Sequence, residues 1–180
     1  MPFKNVLPSG IQAGGLSSSD SSGGRGEWEN YLKVVTYNTE NSLIAKKIKD
    51  SDIQKHFRVE LDAENELIVW AVEYGSSSLA DHRFIMLETK RFYWTVEKFD
   101  DGICVQIAEN IEWLKKRIRG DIRKDVENLQ FRKELSVRSN KTMQDVAQHL
   151  CAKNEVTRGY SLTKDNCWHF NGRLIAMLEP

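Results

Sequence analysis

The stretch YSLTKDNCWHF, residues 160–170, decides how the C-terminal part of the chain folds. Asp165 and Asn166 are residue types that favour the N-cap of a helix, because their side-chain oxygens accept hydrogen bonds from unpaired backbone N–H groups. After them, apolar residues recur with the spacing of one helical face, at Cys167, Phe170, Leu174 and Met177. The spacing therefore predicts a helix that begins at Cys167.

A cysteine in the first turn of a helix has a particular chemistry. Its sulfur faces backbone N–H groups and the positive end of the helix dipole, and both lower the pKa of the thiol. The same N–H groups could hold the oxyanion of a tetrahedral intermediate, but such a cysteine still needs a base, usually a histidine. On the residues alone, two interpretations of Cys167 stay open: a nucleophile, or an inert cysteine packed in the core.

The other cysteines and histidines offer little to a metal ion. The three cysteines and four histidines form no CxxC or HxxxH set, so we expect neither a metal site nor a cofactor. An odd number of cysteines without a secretory signal peptide favours a reducing compartment, and we expect a cytoplasmic protein. No apolar run approaches the roughly 20 residues of a membrane-spanning helix.

Length and charge limit the function classes further. A chain of 180 residues with 40% apolar residues can bury one sizeable core. Its 26 basic and 26 acidic side chains cancel, so affinity for nucleic acid or membrane must come from a local patch. Residues 1–27 include a long run of glycine and serine and are predicted to be a flexible leader, followed by a single domain over 28–180.

The first half of the domain has the pattern of strands. Segments rich in β-branched and aromatic residues recur between short polar turns, and they predict a mostly antiparallel sheet. The polar turns at 62–65 and 99–102 are each expected to join two strands in a hairpin. The predicted strands cover 31–37, 56–62, 66–74, 82–89, 91–99 and 102–108.

Two more helices are expected in the second half. Seven apolar residues between Ile107 and Leu129 recur every three or four positions, which predicts a long amphipathic helix over 107–131. Thr142 and Asp145 are spaced like a capping box at the start of a helix over 142–152. The expected fold is therefore α+β, with an antiparallel sheet packed against helices.

Two motifs resemble the lecithin retinol acyltransferase-like family, which is related to the NlpC/P60 thiol hydrolases. NCWHF (166–170) resembles the family's NC box, Asn-Cys-x-His-Phe. Upstream, DHRFIML (81–87) places His82 where the family has the histidine of its H box, at the head of an early strand. The resemblance implies a permuted papain-like arrangement of the sheet and helices.

The resemblance also implies roles for individual residues. Cys167 would be the nucleophile, and His82 the base that takes its proton. Cellular members have a second histidine that orients the base, and the corresponding position here falls near Trp94, within a predicted strand. Glu97 is the nearest polar group on that strand. The NC-box residues with an implied structural role at the helix start are Asn166 and His169.

A basic run lies within WLKKRIRGDIRK, residues 113–124. It could contact RNA phosphates or acidic lipid headgroups at a membrane surface. The alternative is a solvated helix face, because acidic residues lie among the basic ones. The basic side chains are Lys115, Lys116, Arg117, Arg119, Arg123 and Lys124.

Two functions of different classes follow. In the first, the chain is similar to the H-box/NC 2A proteins of picornaviruses and acts in replication by binding host or viral protein partners, with weak or no catalysis. In the second, it is a thiol-dependent phospholipase or acyltransferase that passes an acyl group through a thioester on Cys167. The absence of an orienting histidine and the bulky Trp168 beside the nucleophile favour the first. We therefore expect weak or absent activity on phospholipid esters.

Overall fold

The structure, a computed structural model, describes residues 28–76, 82–122 and 129–180. Its strands are β1 Tyr31–Thr39, β2 Ser42–Lys49, β3 Ile68–Ser76, β4 His82–Thr89, β5 Tyr93–Lys98, β6 Ile103–Ala108, β7 Arg117–Ile118, β8 Asp121–Ile122 and β9 Leu129–Glu134. Seven of them form one sheet in the order β2-β1-β6-β5-β4-β3-β9. In this sheet β1 and β6 run parallel, and the other neighbours run antiparallel. The pair β7–β8 forms a separate small hairpin.

The helices are α1 Ile53–Glu60, α2 Ile111–Lys115, α3 Met143–Ala152 and α4 Cys167–Leu178. The predicted α+β class with a mostly antiparallel sheet is confirmed. Within 28–76, 82–122 and 129–180, no helix has both the length and the hydropathy that crossing a membrane requires. The leader predicted over 1–27 lies outside the described residues.

The sheet is the middle layer of the fold. Every residue of β6 is buried, as expected for a strand that is covered on both faces. One apolar cluster joins the sheet to α1, α3 and α4, with Trp94 and Phe170 among its members. The other cluster packs Tyr37 and Phe84 against Leu114 of α2. Because α4 packs on β4 and β5, its first turn lies close to the start of β4.

Both helix predictions that rest on caps are confirmed. Thr142 and Asp145 form a reciprocal capping box, in which the Thr142 N–H donates to Asp145 Oδ2 at 2.8 Å and the Asp145 N–H donates to Thr142 Oγ1 at 3.3 Å. Helix α4 begins at Cys167, with Asn166 as its N-cap. Both caps act on their own helix, so short sequence stretches were enough to predict them.

The prediction of a helix over 107–131 is wrong. Ile107 belongs to β6 and packs on the α4 side of the sheet, whereas Leu114 packs on the opposite side. Helix α2 ends after five residues, and Arg119 (φ 57°) and Gly120 (φ 98°) then form the left-handed turn of the β7–β8 hairpin. Residues 123–128 lie outside the described part of the chain, and β9 follows them. Apolar residues with helical spacing here belong to several separate elements.

The predicted strand over 56–62 is also wrong, because this region forms α1. Ile53, His56 and Phe57 are the buried residues of the helix and share one helical face. The polar turn at 62–65 therefore leads from a helix to β3 and does not join two strands.

The remaining strand predictions agree with the structure apart from their ends. The hairpin turn at 99–102 is confirmed by a 2.8 Å hydrogen bond from the Phe99 N–H to the Gly102 carbonyl. Strand β2 was not predicted. It is an edge strand whose residues are exposed or half-buried, so its sequence carries only weak alternation.

Candidate active site

The start of α4 is fixed by the side chain of Asn166. Its Oδ1 accepts hydrogen bonds from the backbone N–H groups of Trp168 at 3.0 Å and His169 at 3.2 Å. Its Nδ2 donates to the Leu162 carbonyl at 2.7 Å, which ties the preceding loop to the helix. Cys167 follows directly and is 5% exposed. The cap therefore places a buried thiol in the first turn of the helix.

His169 also contributes to this cap. Its Nδ1 lies 2.8 Å from Asn166 Oδ1, and the ring is exposed. Asn166 and His169 thus lie together at the start of α4. Asn166 is the N-cap and His169 contacts its side chain. The side chains beside the thiol come from other residues.

The imidazole of His82 lies beside the thiol of Cys167, close enough for each group to shift the pKa of the other. His82 is the first residue of β4, and its ring stacks on Phe84 and on Phe99, with centroid distances of 6.3 Å and 5.0 Å. The ring is 9% exposed, so the two aromatic neighbours restrict its orientation. The structure therefore brings together the two residues that sequence reasoning assigned as nucleophile and base.

Glu97 holds the other side of the imidazole. Its Oε2 lies 3.2 Å from His82 Nε2, and the carboxyl group is fully buried. The contact follows from strand register, because Glu97 pairs with Phe84 and alternate residues of a strand share a face. Of the two positions considered for orienting the base, Trp94 and Glu97, it is Glu97 that contacts His82.

Trp94 lies elsewhere. It pairs with Leu87, so its ring projects from the opposite face to that of Glu97. There it stacks on Phe57 at 6.3 Å, and its Nε1 donates to Thr89 Oγ1 at 3.1 Å. Trp94 is a core residue, and the position predicted from the family spacing does not contact His82.

The pKa values of the two reactive groups move towards each other. Burial alone would raise the pKa of the Cys167 thiol, but hydrogen bonds from His82 and from the Arg83 backbone N–H lower it overall. Burial alone would lower the pKa of His82, but its hydrogen bonds with Cys167 and Glu97 raise it to about 9. These shifts favour a thiolate beside an imidazolium, which is the reactive state of a cysteine nucleophile. We call Cys167, His82 and Glu97 the thiol cluster.

The sequence did not point to two further groups beside the sulfur of Cys167. The backbone N–H of Arg83 and the hydroxyl of Tyr160 both lie beside the Cys167 sulfur and affect the pKa values at the site. Burial and the neighbouring Cys167 raise the pKa of the Tyr160 hydroxyl, which keeps it protonated as a donor. Donors around a nucleophilic sulfur can also stabilise the oxyanion that forms on a bound carbonyl. Tyr160 opens the same stretch as Cys167, but the sequence alone does not show that the loop folds back.

A second group of charged residues anchors that loop to the sheet and to α4. Lys98, which is fully buried, donates to Asp165 Oδ1 at 2.9 Å. Arg173 donates to the same oxygen at 2.7 Å and binds Glu155 through two hydrogen bonds of 2.6 and 2.7 Å. We call Lys98, Asp165, Arg173 and Glu155 the anchor cluster. It fixes the residue directly before the N-cap of α4.

Trp168 lies partly exposed at the surface beside the candidate site. Its side chain is 45% exposed, and the Arg83 guanidinium lies 4.1 Å from the centroid of its ring. This distance is typical of a cation–π contact. The ring is therefore held at the surface next to the site, with Arg83 against one face.

The described residues of the basic run have acidic or carbonyl partners. Lys115 binds Glu112 at 2.9 Å, and Lys116 binds Glu40 at 3.1 Å. Arg117 donates to the Glu40 carbonyl at 2.6 Å, and Arg119 binds Asp101 at 2.6 Å. Three of these four side chains are paired with carboxylates, which reduces the net positive charge of the run. Contact of the run with RNA or lipid headgroups stays a prediction. Arg123 and Lys124 lie outside the described residues.

Comparisons with protein-family models, curated proteins and solved structures found no match. Across the three described segments, no group of His, Cys, Asp and Glu side chains is arranged to hold a metal ion.

Proposed function

We propose that this chain is a thiol-dependent acyl-transfer enzyme. The observation that carries the proposal is the arrangement of three groups: Glu97 Oε2 lies 3.2 Å from His82 Nε2, and the His82 imidazole lies beside the Cys167 thiol. A nucleophile at a helix start, a base in contact with it and a buried carboxylate behind the base are the three parts that nucleophilic acyl transfer needs. Because Glu97 contacts the base His82, we favour acyl transfer over partner binding without catalysis.

The reaction would proceed in two steps. The Cys167 thiolate attacks the carbonyl carbon of an acyl donor, the bond to the leaving group breaks, and the leaving group takes the proton of the His82 imidazolium. The acyl group is then held as a thioester. In the second step His82 removes a proton from water or from an acceptor alcohol or amine, whose oxygen or nitrogen attacks the thioester and releases Cys167. The donors around Cys167 would stabilise the oxyanion in both steps.

The family resemblance supplies the substrate class for this proposal. Strand β4 with His82 precedes the helix with Cys167 in the chain, which is the order in the lecithin retinol acyltransferase-like family and in a permuted papain-like arrangement. An acyl ester of a phospholipid is therefore the proposed donor. The proposed compartment is the cytoplasm, because a nucleophilic thiol must stay reduced.

The test is to trap the acyl-enzyme. The protein is incubated with a phospholipid that carries a labelled ester, and peptides are analysed by mass spectrometry. We expect a thioester on Cys167 that is absent in Cys167→Ala and in His82→Ala. Cys151→Ser is the matched control, since Cys151 is half-buried and lies on α3, and it should keep the thioester. Failure of wild-type protein to form a thioester with any ester or thioester donor would refute the proposal.

A second candidate is the binding of a host or viral protein partner without catalysis, as in the picornaviral H-box/NC proteins. The observation that favours it is the exposed Trp168 with Arg83 stacked on it. Tryptophan and arginine are the residue types that most often carry binding energy at protein interfaces. On this reading Trp168→Ala would lose a defined complex from cell extract that Cys167→Ala retains, and wild-type protein would form no thioester.

A further inference from the structure

The hydrogen-bonded series of the site continues beyond Glu97 into the sheet. Gln106, on β6, donates from Nε2 to Glu97 Oε1 at 3.1 Å and to Thr95 Oγ1 at 3.1 Å. Its Oε1 accepts from the Tyr37 hydroxyl at 2.8 Å and from the Gly120 backbone N–H at 3.3 Å. Gln106 and Glu97 are both fully buried. The series therefore crosses three neighbouring strands, β5, β6 and β1.

The contacts determine which way the Gln106 amide points. A backbone N–H can only donate a hydrogen bond, so the group that faces Gly120 must be the amide oxygen. The amide NH₂ group must then face Glu97, and a protonated Glu97 is not needed to complete the contact. Strand register supports the same geometry, because Gln106 pairs with Thr95 and Glu97 is the next residue on that face of β5.

We propose that Gln106 is a positioning residue that keeps the Glu97 carboxylate ionised and in place, so that Glu97 can hold the His82 imidazolium beside Cys167. A carboxylate without exposure to water is strongly disfavoured unless donors replace the lost water. His82 supplies a donor to one oxygen of Glu97, and Gln106 supplies a donor to the other. The inference rests on the proposed thiol chemistry and concerns a residue outside the reacting atoms.

The other titratable groups around Glu97 do not take over this role. Burial raises the pKa of the Cys104 thiol on β6 and of the Tyr37 hydroxyl on β1, so both stay neutral near pH 7. The charged groups that act on these two neighbours are Lys33, Asp101, Arg117 and Arg119. At the sulfur, the titratable neighbours are His82 and Tyr160. Gln106 is thus a neutral donor to the buried carboxylate of Glu97.

The test is the pH dependence of Cys167 alkylation by iodoacetamide, followed peptide by peptide with mass spectrometry. This readout reports the thiolate and needs no substrate. In Gln106→Met, which has a side chain of nearly the same length, Glu97 loses a donor and takes up a proton more easily. We expect the alkylation rate of Cys167 at pH 7 to fall about tenfold, as for a rise of one unit in the thiol pKa. Tyr37→Phe, which removes one contact to the Gln106 oxygen, should cause a smaller fall.

Thr89→Val is the matched control. It removes a buried hydrogen bond, from Trp94 to Thr89, on the same sheet but away from the site. We expect it to lower the melting temperature and to leave the alkylation profile unchanged. An unchanged profile in folded Gln106→Met would overturn the inference. If Gln106→Met does not fold, Tyr37→Phe decides in the same way.

The two proposals fail separately in this design. If wild-type protein forms no acyl-enzyme but Gln106→Met shifts the alkylation profile, acyl transfer is refuted and the positioning role stands. If the acyl-enzyme forms and both Gln106→Met and Tyr37→Phe alkylate and transfer acyl groups like the wild type, the positioning role is refuted and the proposed function stands.

Discussion

The anchor cluster and the thiol cluster each include a residue at the start of α4, Asp165 and Cys167, but their charges behave differently. In the anchor cluster, burial opposes the charge of Asp165, yet hydrogen bonds from Arg173 and Lys98 lower its pKa. Hydrogen bonds with Glu155 raise the pKa of Arg173, so its guanidinium stays charged. In the thiol cluster, the pKa of Cys167 falls and that of His82 rises, so a proton can move between them. One cluster fixes the backbone, and the other is suited to proton transfer.

The largest effect that tests this difference is expected for Glu97→Gln. A neutral amide cannot stabilise an imidazolium as a carboxylate does, so we expect acyl transfer to fall by about three to four orders of magnitude, in line with loss of the orienting group in other triads. The measurement is the rate of acyl-enzyme formation, with circular dichroism to show that the protein is folded. A rate within about tenfold of the wild type would mean that Glu97 is only a buried structural carboxyl.

Substitutions in the anchor cluster should lower the free energy of unfolding. In Asp165→Asn, the buried Lys98 loses its carboxylate, and we expect the free energy of unfolding in urea to fall by about 3–5 kcal/mol, as when one partner of a buried ion pair is removed. Lys133→Ala is the control, because its ion pair with Glu179 is exposed and should contribute little. If Asp165→Asn is as stable as the wild type, the anchor cluster does not fix the loop.

The pH dependence should also separate the thiols. Because the pKa of Cys167 is lowered while burial raises the pKa of Cys151 and of Cys104, we expect Cys167 to react with iodoacetamide at pH 7 at least about tenfold faster than either. Equal alkylation rates for the three cysteines would contradict an ion pair between the Cys167 thiolate and the His82 imidazolium.

Acyl transfer should decline above pH of about 9, where His82 loses the proton that the leaving group needs.

The smallest effect is expected at the cap. Asn166→Ala removes the acceptor for the N–H groups of Trp168 and His169. We expect a loss of about 1 kcal/mol in the free energy of unfolding, typical of a lost N-cap. Thermal denaturation measures it, and His169→Ala is the comparison, which should cost less because the backbone N–H contacts remain. A larger loss for His169→Ala would mean that its ring, rather than Asn166, holds the helix start.

The parts that were predictable from the sequence are those whose information is local. The caps at Asn166 and at Thr142 bind backbone groups two or three residues away, so the starts of α3 and α4 could be predicted. The prediction of a helix over 107–131 failed because the spacing of apolar residues does not show which face of a sheet each of them covers. Ile107 and Leu114 have helical spacing but pack on opposite faces.

The candidate site was predictable in its chemistry but not in its geometry. His82 and Cys167 stand out by residue type and position, whereas the contact between Glu97 and His82 depends on the register of β4 and β5. Counting residues from His82 pointed to Trp94, because the family spacing does not fix where a strand of this chain begins. Gln106 carries no sequence signal, since its partners come from strands far apart in the chain.

The parallel pairing of β1 with β6 joins residues about seventy positions apart, Leu32 with Ile103, before Gln106 can meet Tyr37. Contacts of such sequence separation form slowly, because the chain entropy of a long loop is lost before the pairing stabilises it. Cys167 follows all of the described strands in the chain, at the start of α4. A partly folded chain would therefore have an ordinary thiol at position 167, and the reactive thiolate would appear only when the last helix docks on the completed sheet.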